Sequence, residues 1–301
     1  MSDPRPSPLA SPQVFAGLSV GVVSVSFAAI LIRLADAPPL VIGAWRLGLA
    51  TLILTPAALG LKRAELRSLA RREWGLAICS GILLGIHFAA WITSLDYTTV
   101  ASSVVLVATN PLFVGLASHF FLGERMGGLM WLGLLVAVAG SMIIGYGDFG
   151  LTGRALLGDG LALVGAAAGA GYFLIGRRLR QRLSLLAYIW PTYGTAAVFL
   201  ILAALAAGDR LVGYTPHTYL MFLLLALVPQ IMGHSMLNWS LRHLSPTLVA
   251  VATLAEPISS ALLAFLVLQE TPPPLALVGG AILLVGIYLS MRGARRQPSH
   301  A

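Results

Sequence analysis

The chain is a succession of long apolar runs separated by short polar connections. The runs at 14–35, 38–60, 74–95, 99–122, 129–146, 156–177, 185–207, 217–240, 246–268 and 274–292 are each of the length a helix needs to cross a bilayer core. None shows the period-2 alternation of a strand, so the pattern predicts ten membrane-spanning helices in an all-α integral membrane protein. Connections are short, which makes neighbouring helices antiparallel. No segment remains for a separate soluble domain. The first run exceeds a signal-peptide core and has no small-residue cleavage site after it, so it counts as a span. The Pro/Ser-rich stretch "MSDPRPSPLASPQ" at 1–13 reads as a disordered tail, and 293–301 as a second tail.

Composition sharpens this picture. Of 301 residues 58% are hydrophobic and 10% charged, with a mean hydropathy of +0.88, whereas soluble domains carry about 25% charged residues. The net charge of +8 does not point to nucleic acid, because the basic residues sit between apolar runs, and the partner they imply is the lipid bilayer. Lys62, Arg63, Arg67, Arg71, Arg72, Arg125, Arg177, Arg178, Arg180, Arg182 and Arg242 fall on the same side as Arg5, Arg292, Arg295 and Arg296 of the two ends. The opposite side holds Arg33, Arg154 and Arg210. That bias places both termini in the cytoplasm. The single cysteine, Cys79, excludes an intrachain disulfide and reads as a small core residue. The excess of Arg over Lys, with abundant Ala, Gly and Leu, suggests a bacterium with a GC-rich genome, and so the bacterial inner membrane.

The two halves of the chain repeat each other. An offset of 146 superposes "ATNPLFVGLASHFFLGE" (108–124) on "LAEPISSALLAFLVLQE" (254–270), matching Pro111 with Pro257 and Glu124 with Glu270, and then Gly133 with Gly279 and Gly140 with Gly286. Five spans per half is an odd number, so the second half inserts upside down. The charges agree: the outer Asp96 corresponds to the inner Arg242. Inverted-topology repeats are typical of secondary transporters, which hold a site near mid-membrane and expose it alternately to either side.

The stretches "WRLGLATLILTP" (45–56), "SLDYTTVASSVVLVATNPLFVGLASHFFLGER" (94–125) and "HLSPTLVAVATLAEPISSALLAFLVLQE" (243–270) resemble the drug/metabolite transporter superfamily, in its ten-helix form with two EamA domains. The resemblance covers nearly the whole chain and places the repeats at 14–146 and 156–292. It implies export, and it brings in members that export amino acids and related metabolites, including aromatic amino-acid exporters of the YddG type.

The spans also carry polar residues. Glu256 lies near the middle of the ninth, where a charge costs a few kcal/mol unless it meets a cavity or a partner. Pro257 after it bends the helix, and its mate Pro111 follows Asn110 at equivalent depth, so both prolines are candidate hinges. Three readings of Glu256 stand side by side: proton coupling, an ion pair with Arg46, and substrate contact. Arg46 lies about 12 Å into its own span by helical rise, within a few Å of the depth of Glu256. Gln230, His234 and Asn238 at i, i+4, i+8 form one polar stripe, and His87 and Trp91 share a face by the same rule. These eight residues are the candidate substrate-binding set. Tyr188, Trp190 and Tyr193 near a span end read as an interfacial belt, Tyr172 as belt or cavity. The run "GAAAGAG" (165–171) predicts close helix approach.

No catalytic or cofactor motif is present, and the scattered histidines give no metal-ligand spacing. The expected function is secondary transport of a small metabolite without cofactor, protons being one candidate coupling ion. A hydrophobic or aromatic amino acid fits a largely apolar site with few polar anchors better than a sugar phosphate, which needs several cations. An intramembrane acid–base enzyme using His87, His234 and Glu256 is the competing class.

Overall fold

The computed structural model describes residues 12–122, 127–149, 153–244, 246–253 and 255–295. The expectations made for residues 1–11, Glu124, Arg125, Leu254 and 296–301 lie outside them. Apart from a short helix at Arg63–Ser68, the helical segments among the described residues are, in chain order, α1 (Pro12–Leu34), α2 (Pro39–Leu61), α3 (Arg71–Ser94), α4 in two pieces (Val100–Val107 and Asn110–Leu122), α5 (Gly128–Phe149), α6 (Gly153–Arg180), α7 (Leu185–Ala206), α8 (Pro216–Ser240), α9 in two pieces (Pro246–Ala252 and Ala255–Leu268) and α10 (Pro274–Arg295). Residues 12–13 thus open α1 and 293–295 close α10. Seven of the segments are long and apolar enough to cross a membrane; Gly128–Gly140, Ala255–Leu268 and Pro274–Ser290 are shorter apolar helices.

The exterior of the described residues carries many exposed large apolar side chains, and the interior, itself mostly apolar, also buries polar and charged groups that a soluble protein would keep at its surface. Leu52, Leu61, Leu135, Met142, Leu202 and Leu262 are exposed, whereas Arg46, Arg180, Tyr172, Tyr188 and Tyr193 are among the largest fully buried side chains. Two expectations change here. Cys79 is exposed on an α3 face shared with the exposed Ile78 and Ile82, so it belongs to the apolar exterior. Tyr188 and Tyr193 do not form a belt. The α7 face that carries them turns inward, and their hydroxyls meet Ser80 Oγ at 2.7 Å and Ser235 Oγ at 3.2 Å. Trp190 stays partly exposed and donates from Nε1 to Thr55 Oγ1 at 2.9 Å.

The helix pairing has the symmetry of the repeat. α5 packs on α10, α2 on α7, α3 on α6 and α1 on α8, while α4 lies against α6 and α9 against α1, and α4 meets α9. Exchanging the halves leaves this pattern unchanged. The aligned glycines mark it at atomic scale. A Cβ added to Gly133 would lie 2.5 Å from the Gly286 carbonyl oxygen, and one added to Gly140 would lie 2.7 Å from that of Gly279. The offset of 146 carries one contact into the other. Only residues without a side chain let α5 and α10 cross this closely.

The prolines break the two helices that meet at the centre. A proline leaves the carbonyl four residues earlier without its donor and clashes with it; for Pro257 that residue is Thr253, and for Pro111 it is Val107. Each helix stops there and restarts. Thr109 Oγ1 donates to the Leu106 carbonyl at 2.7 Å and Thr253 Oγ1 to that of Ala250 at 2.6 Å, capping the ends left by the breaks.

Candidate functional site

A cavity of about 60 Å³ lies where α1, α2, α3, α4, α6, α8 and α9 converge. That is room for about four waters. Arg46, His87, Trp91, Asn110, His234 and Glu256 all line it, with Val25, Ala28, Val107, Ala108, Gly169, Tyr172, Phe173, Leu237 and Thr253. Six of the eight candidates drawn from the sequence therefore come together. The other two stand one layer behind. Gln230 Oε1 accepts from Arg46 Nε at 2.8 Å, and Asn238 Nδ2 donates to the Tyr172 hydroxyl.

Each position has a local cause. Within α8 the segment Ala226–His234 winds as a π-helix around Pro229; the wider turn shifts Gln230 out of the stripe expected at 3.6 residues per turn and toward α2. Gly165 and Gly169 let α6 close on α3: a Cβ at 169 would lie 2.9 Å from Asn110 Nδ2 and 3.0 Å from His87 Nδ1. In that contact His87 Nδ1 donates to the Gly165 carbonyl at 2.8 Å and Asn110 Nδ2 to that of Ala166 at 3.0 Å. The carbonyl fixes the proton on Nδ1. The His87 ring stacks on Trp91, centroids 6.0 Å apart, and meets His234 edge-on at 6.4 Å.

Arg46 sits in this cluster fully buried, its guanidinium carbon 4.1 Å from the centre of the Phe88 ring, a cation–π contact. The ion pair between Arg46 and Glu256, one of the three readings of Glu256, is not formed in this structure; the salt bridges among the described residues lie elsewhere. Both terminal nitrogens of Arg46, Trp91 Nε1, Asn110 Oδ1 and His234 Nδ1 are buried without a hydrogen-bond partner.

The cavity also obeys the repeat. The offset of 146 places Asn110 on Glu256 and Phe88 on His234, and all four converge here. Phe88 is the residue the sequence reading missed, although its alignment with His234 was there to be seen. Tyr172 resolves to the cavity wall.

Two polar latches close the bundle at opposite ends of α3. At its C-terminal end Arg33 Nη2 donates to the Thr98 carbonyl at 3.0 Å and lies 3.8 Å from Glu270, whose Oε1 accepts from the Val100 N–H at 2.6 Å. At its N-terminal end, where Arg182 meets Glu73 at 3.5 Å, Arg177 Nη1 donates to the carbonyls of Leu241 at 2.7 Å and Leu244 at 3.2 Å. Thr98 and Leu244 are repeat mates.

Comparison with known proteins places these features. The EamA-like transporter family matches residues 13–146 and again 156–292. A probable terminal-alkyne amino-acid exporter of Streptantibioticus cattleyicolor is 27% identical over 261 residues, 84% of this chain and 85% of that protein. The pseudopaline exporter CntI of Pseudomonas aeruginosa is 26% identical over 227 residues, 72% of this chain and 75% of its own. A solved crystal structure shares the fold with a TM-score of 0.70 at 18% identity, covering 96% of this chain and all of that one.

Proposed function

The chain belongs to the EamA-like transporter family, and on that premise we propose that it exports small metabolites, hydrophobic or aromatic amino acids foremost, by alternating access through the central cavity. It is a multi-pass membrane protein, and its relatives are transporters rather than enzymes.

The observation that carries the export mechanism is the pairing of the cavity with two mated latches. A site lined by equivalent positions of both halves and bounded at either end by an arginine bonded to the mated carbonyls of Thr98 and Leu244 has one closure on each side. Breaking one while keeping the other exposes the site to one side at a time. The breaks before Pro111 and Pro257 put the flexible points of α4 and α9 beside the cavity. An aromatic amino acid needs more than about four waters' worth of space, so it enters only when those walls part. The aromatic lining of Trp91, Tyr172 and Phe173, with Phe88 against Arg46 and His234, favours an apolar body, and the lone cation disfavours a phosphate. In this reading all ten helices cross the membrane, the halves are inverted, and both termini are cytoplasmic.

The test is counterflow in liposomes holding the purified full-length chain and loaded with an unlabelled amino-acid mixture. Saturable entry of labelled phenylalanine or leucine, chemically unchanged on recovery, is expected. A modified product, or flux that rises linearly without saturation, overturns the reading. Orientation is read by impermeant thiol labelling of cysteines at Ser68 and Asp209 in a Cys79→Ser background, which should report opposite sides.

A further inference from the structure

Resting on the amino-acid reading above, the unsatisfied groups of the cavity define which charges the ligand carries. Arg46 is the one cationic side chain and Glu256 the one acidic side chain among the lining residues. They are not bonded to each other. A buried guanidinium without a counter-ion is costly, and here its position is fixed rather than free. Gln230 holds Nε at 2.8 Å, the face rests on Phe88 at 4.1 Å, and both terminal nitrogens are left unbonded. Two parallel N–H donors on one rigid edge match the two oxygens of a carboxylate. Glu256 reaches the same cavity from the first turn of the restarted helix of α9.

We propose that Arg46 and Glu256 form a two-charge clamp that selects zwitterions, the ligand carboxylate on the free edge of Arg46 and its ammonium on Glu256. Trp91 Nε1 and Asn110 Oδ1, both buried and unpartnered, supply one further donor and one further acceptor for the same head group. The discrimination works by repulsion as well as attraction. A monocarboxylate lacking the amine leaves Glu256 unpaired beside a second anion. An amine lacking the carboxylate brings a cation to Arg46 and leaves the guanidinium bare. A dicarboxylate sets its second acid against Glu256.

The experiment uses the full chain in liposomes, with labelled phenylalanine counterflow as the readout and three competitors: unlabelled phenylalanine, 3-phenylpropionate and phenethylamine. With the wild type, phenylalanine should compete at least tenfold better than either truncated analogue. With Glu256→Gln, 3-phenylpropionate should gain on phenylalanine and become the equal or better competitor, whereas Arg46→Lys, which keeps the charge but loses the fork, should weaken phenylalanine without improving phenethylamine. Equal competition by all three compounds at the wild type overturns the clamp and leaves the exporter reading intact. So does a Glu256→Gln protein that still prefers phenylalanine as strongly as the wild type. No phenylalanine counterflow and no competition at all would remove the amino-acid reading and the clamp together.

Discussion

Gln230 holds Arg46 from behind: its Oε1 accepts from the guanidinium Nε at 2.8 Å, and both residues are fully buried. The bond orients the cation without neutralising it. Removing the acceptor leaves a charged donor unsatisfied, at a cost of about 1–3 kcal/mol. Gln230→Leu should therefore lower the thermal midpoint in detergent by several degrees. Gln230→Glu, which keeps the acceptor, should retain most of the stability. Equal losses for both would mean that the Arg46–Gln230 bond contributes nothing.

The crossing of α5 and α10 makes a sharper stability prediction. A Cβ at Gly286 would lie 2.7 Å from both the Ala137 Cα and the Gly133 carbonyl oxygen, all backbone that no rotamer change moves away. Gly286→Val should reduce folded yield severely, with a loss of several kcal/mol. At Gly280, also buried, the nearest atom is a Val105 methyl at 3.5 Å, ordinary contact, so Gly280→Ala should be tolerated, and the better helix propensity of Ala by about 1 kcal/mol acts in its favour. Size-exclusion profiles and melting curves of the two variants compare them directly.

The succession of apolar helices was legible because lipid imposes length, and the repeat was legible in the alignment of Gly133 with Gly279 and Gly140 with Gly286; that these glycines join α5 to α10 came only from the structure. The break points of α4 and α9 followed from Pro111 and Pro257 by backbone chemistry alone. What the sequence hid was which way a helix faces. All of α3 and α7 is apolar enough for either lipid or core, so Cys79 and Tyr188 were assigned the wrong surroundings. The stripe of Gln230, His234 and Asn238 assumed 3.6 residues per turn, and the π segment from Ala226 to His234 broke that assumption. His234 kept its cavity position while Gln230 moved behind Arg46. Phe88 escaped because an aromatic in an apolar run carries no signal of its own; only its alignment with the polar His234 does.

Outside the membrane, Glu65 ties the α2–α3 connection to α7. Its oxygens accept from the Ser184 N–H at 2.6 Å and the Ser184 hydroxyl at 2.7 Å. Partial burial disfavours the charged form, but these bonds and Lys62 outweigh it and hold the carboxyl below its ordinary 4.5. A carboxyl whose folded-state value is depressed contributes stability that is fully present above 4.5 and is lost as pH falls through its lower folded value. The thermal midpoint should thus drop on acidification below about pH 4.5, and Glu65→Gln should flatten that part of the curve. An unchanged slope in the variant would assign the pH dependence to other carboxyls.

The two latches are mates in position but not in chemistry, and this asymmetry sets the last expectation. On the face of Arg33, Glu270 accepts from the Val100 N–H and faces the guanidinium. The repeat mate of Val100 is Pro246, which has no N–H to give, so the same acceptor arrangement has no donor on the other face. There Arg177 donates to neutral carbonyls instead. The Arg33 latch includes a partly exposed ion pair, which salt screens; Arg177 itself makes none, and the ion pair on its face, Arg182–Glu73, involves a largely exposed arginine and contributes little. A cysteine placed at Ala28 in the cavity wall, in a Cys79→Ser background, reports which face is open through its rate of modification by an impermeant thiol reagent. Arg33→Gln should speed labelling several-fold from the Arg33 side, and raising salt should act in the same direction on the parent. Arg177→Gln should speed labelling from the opposite side and leave the salt response unchanged. If both variants raised access from the same side, the two contacts would not be closures of opposite faces, and the alternating mechanism would lose its structural basis.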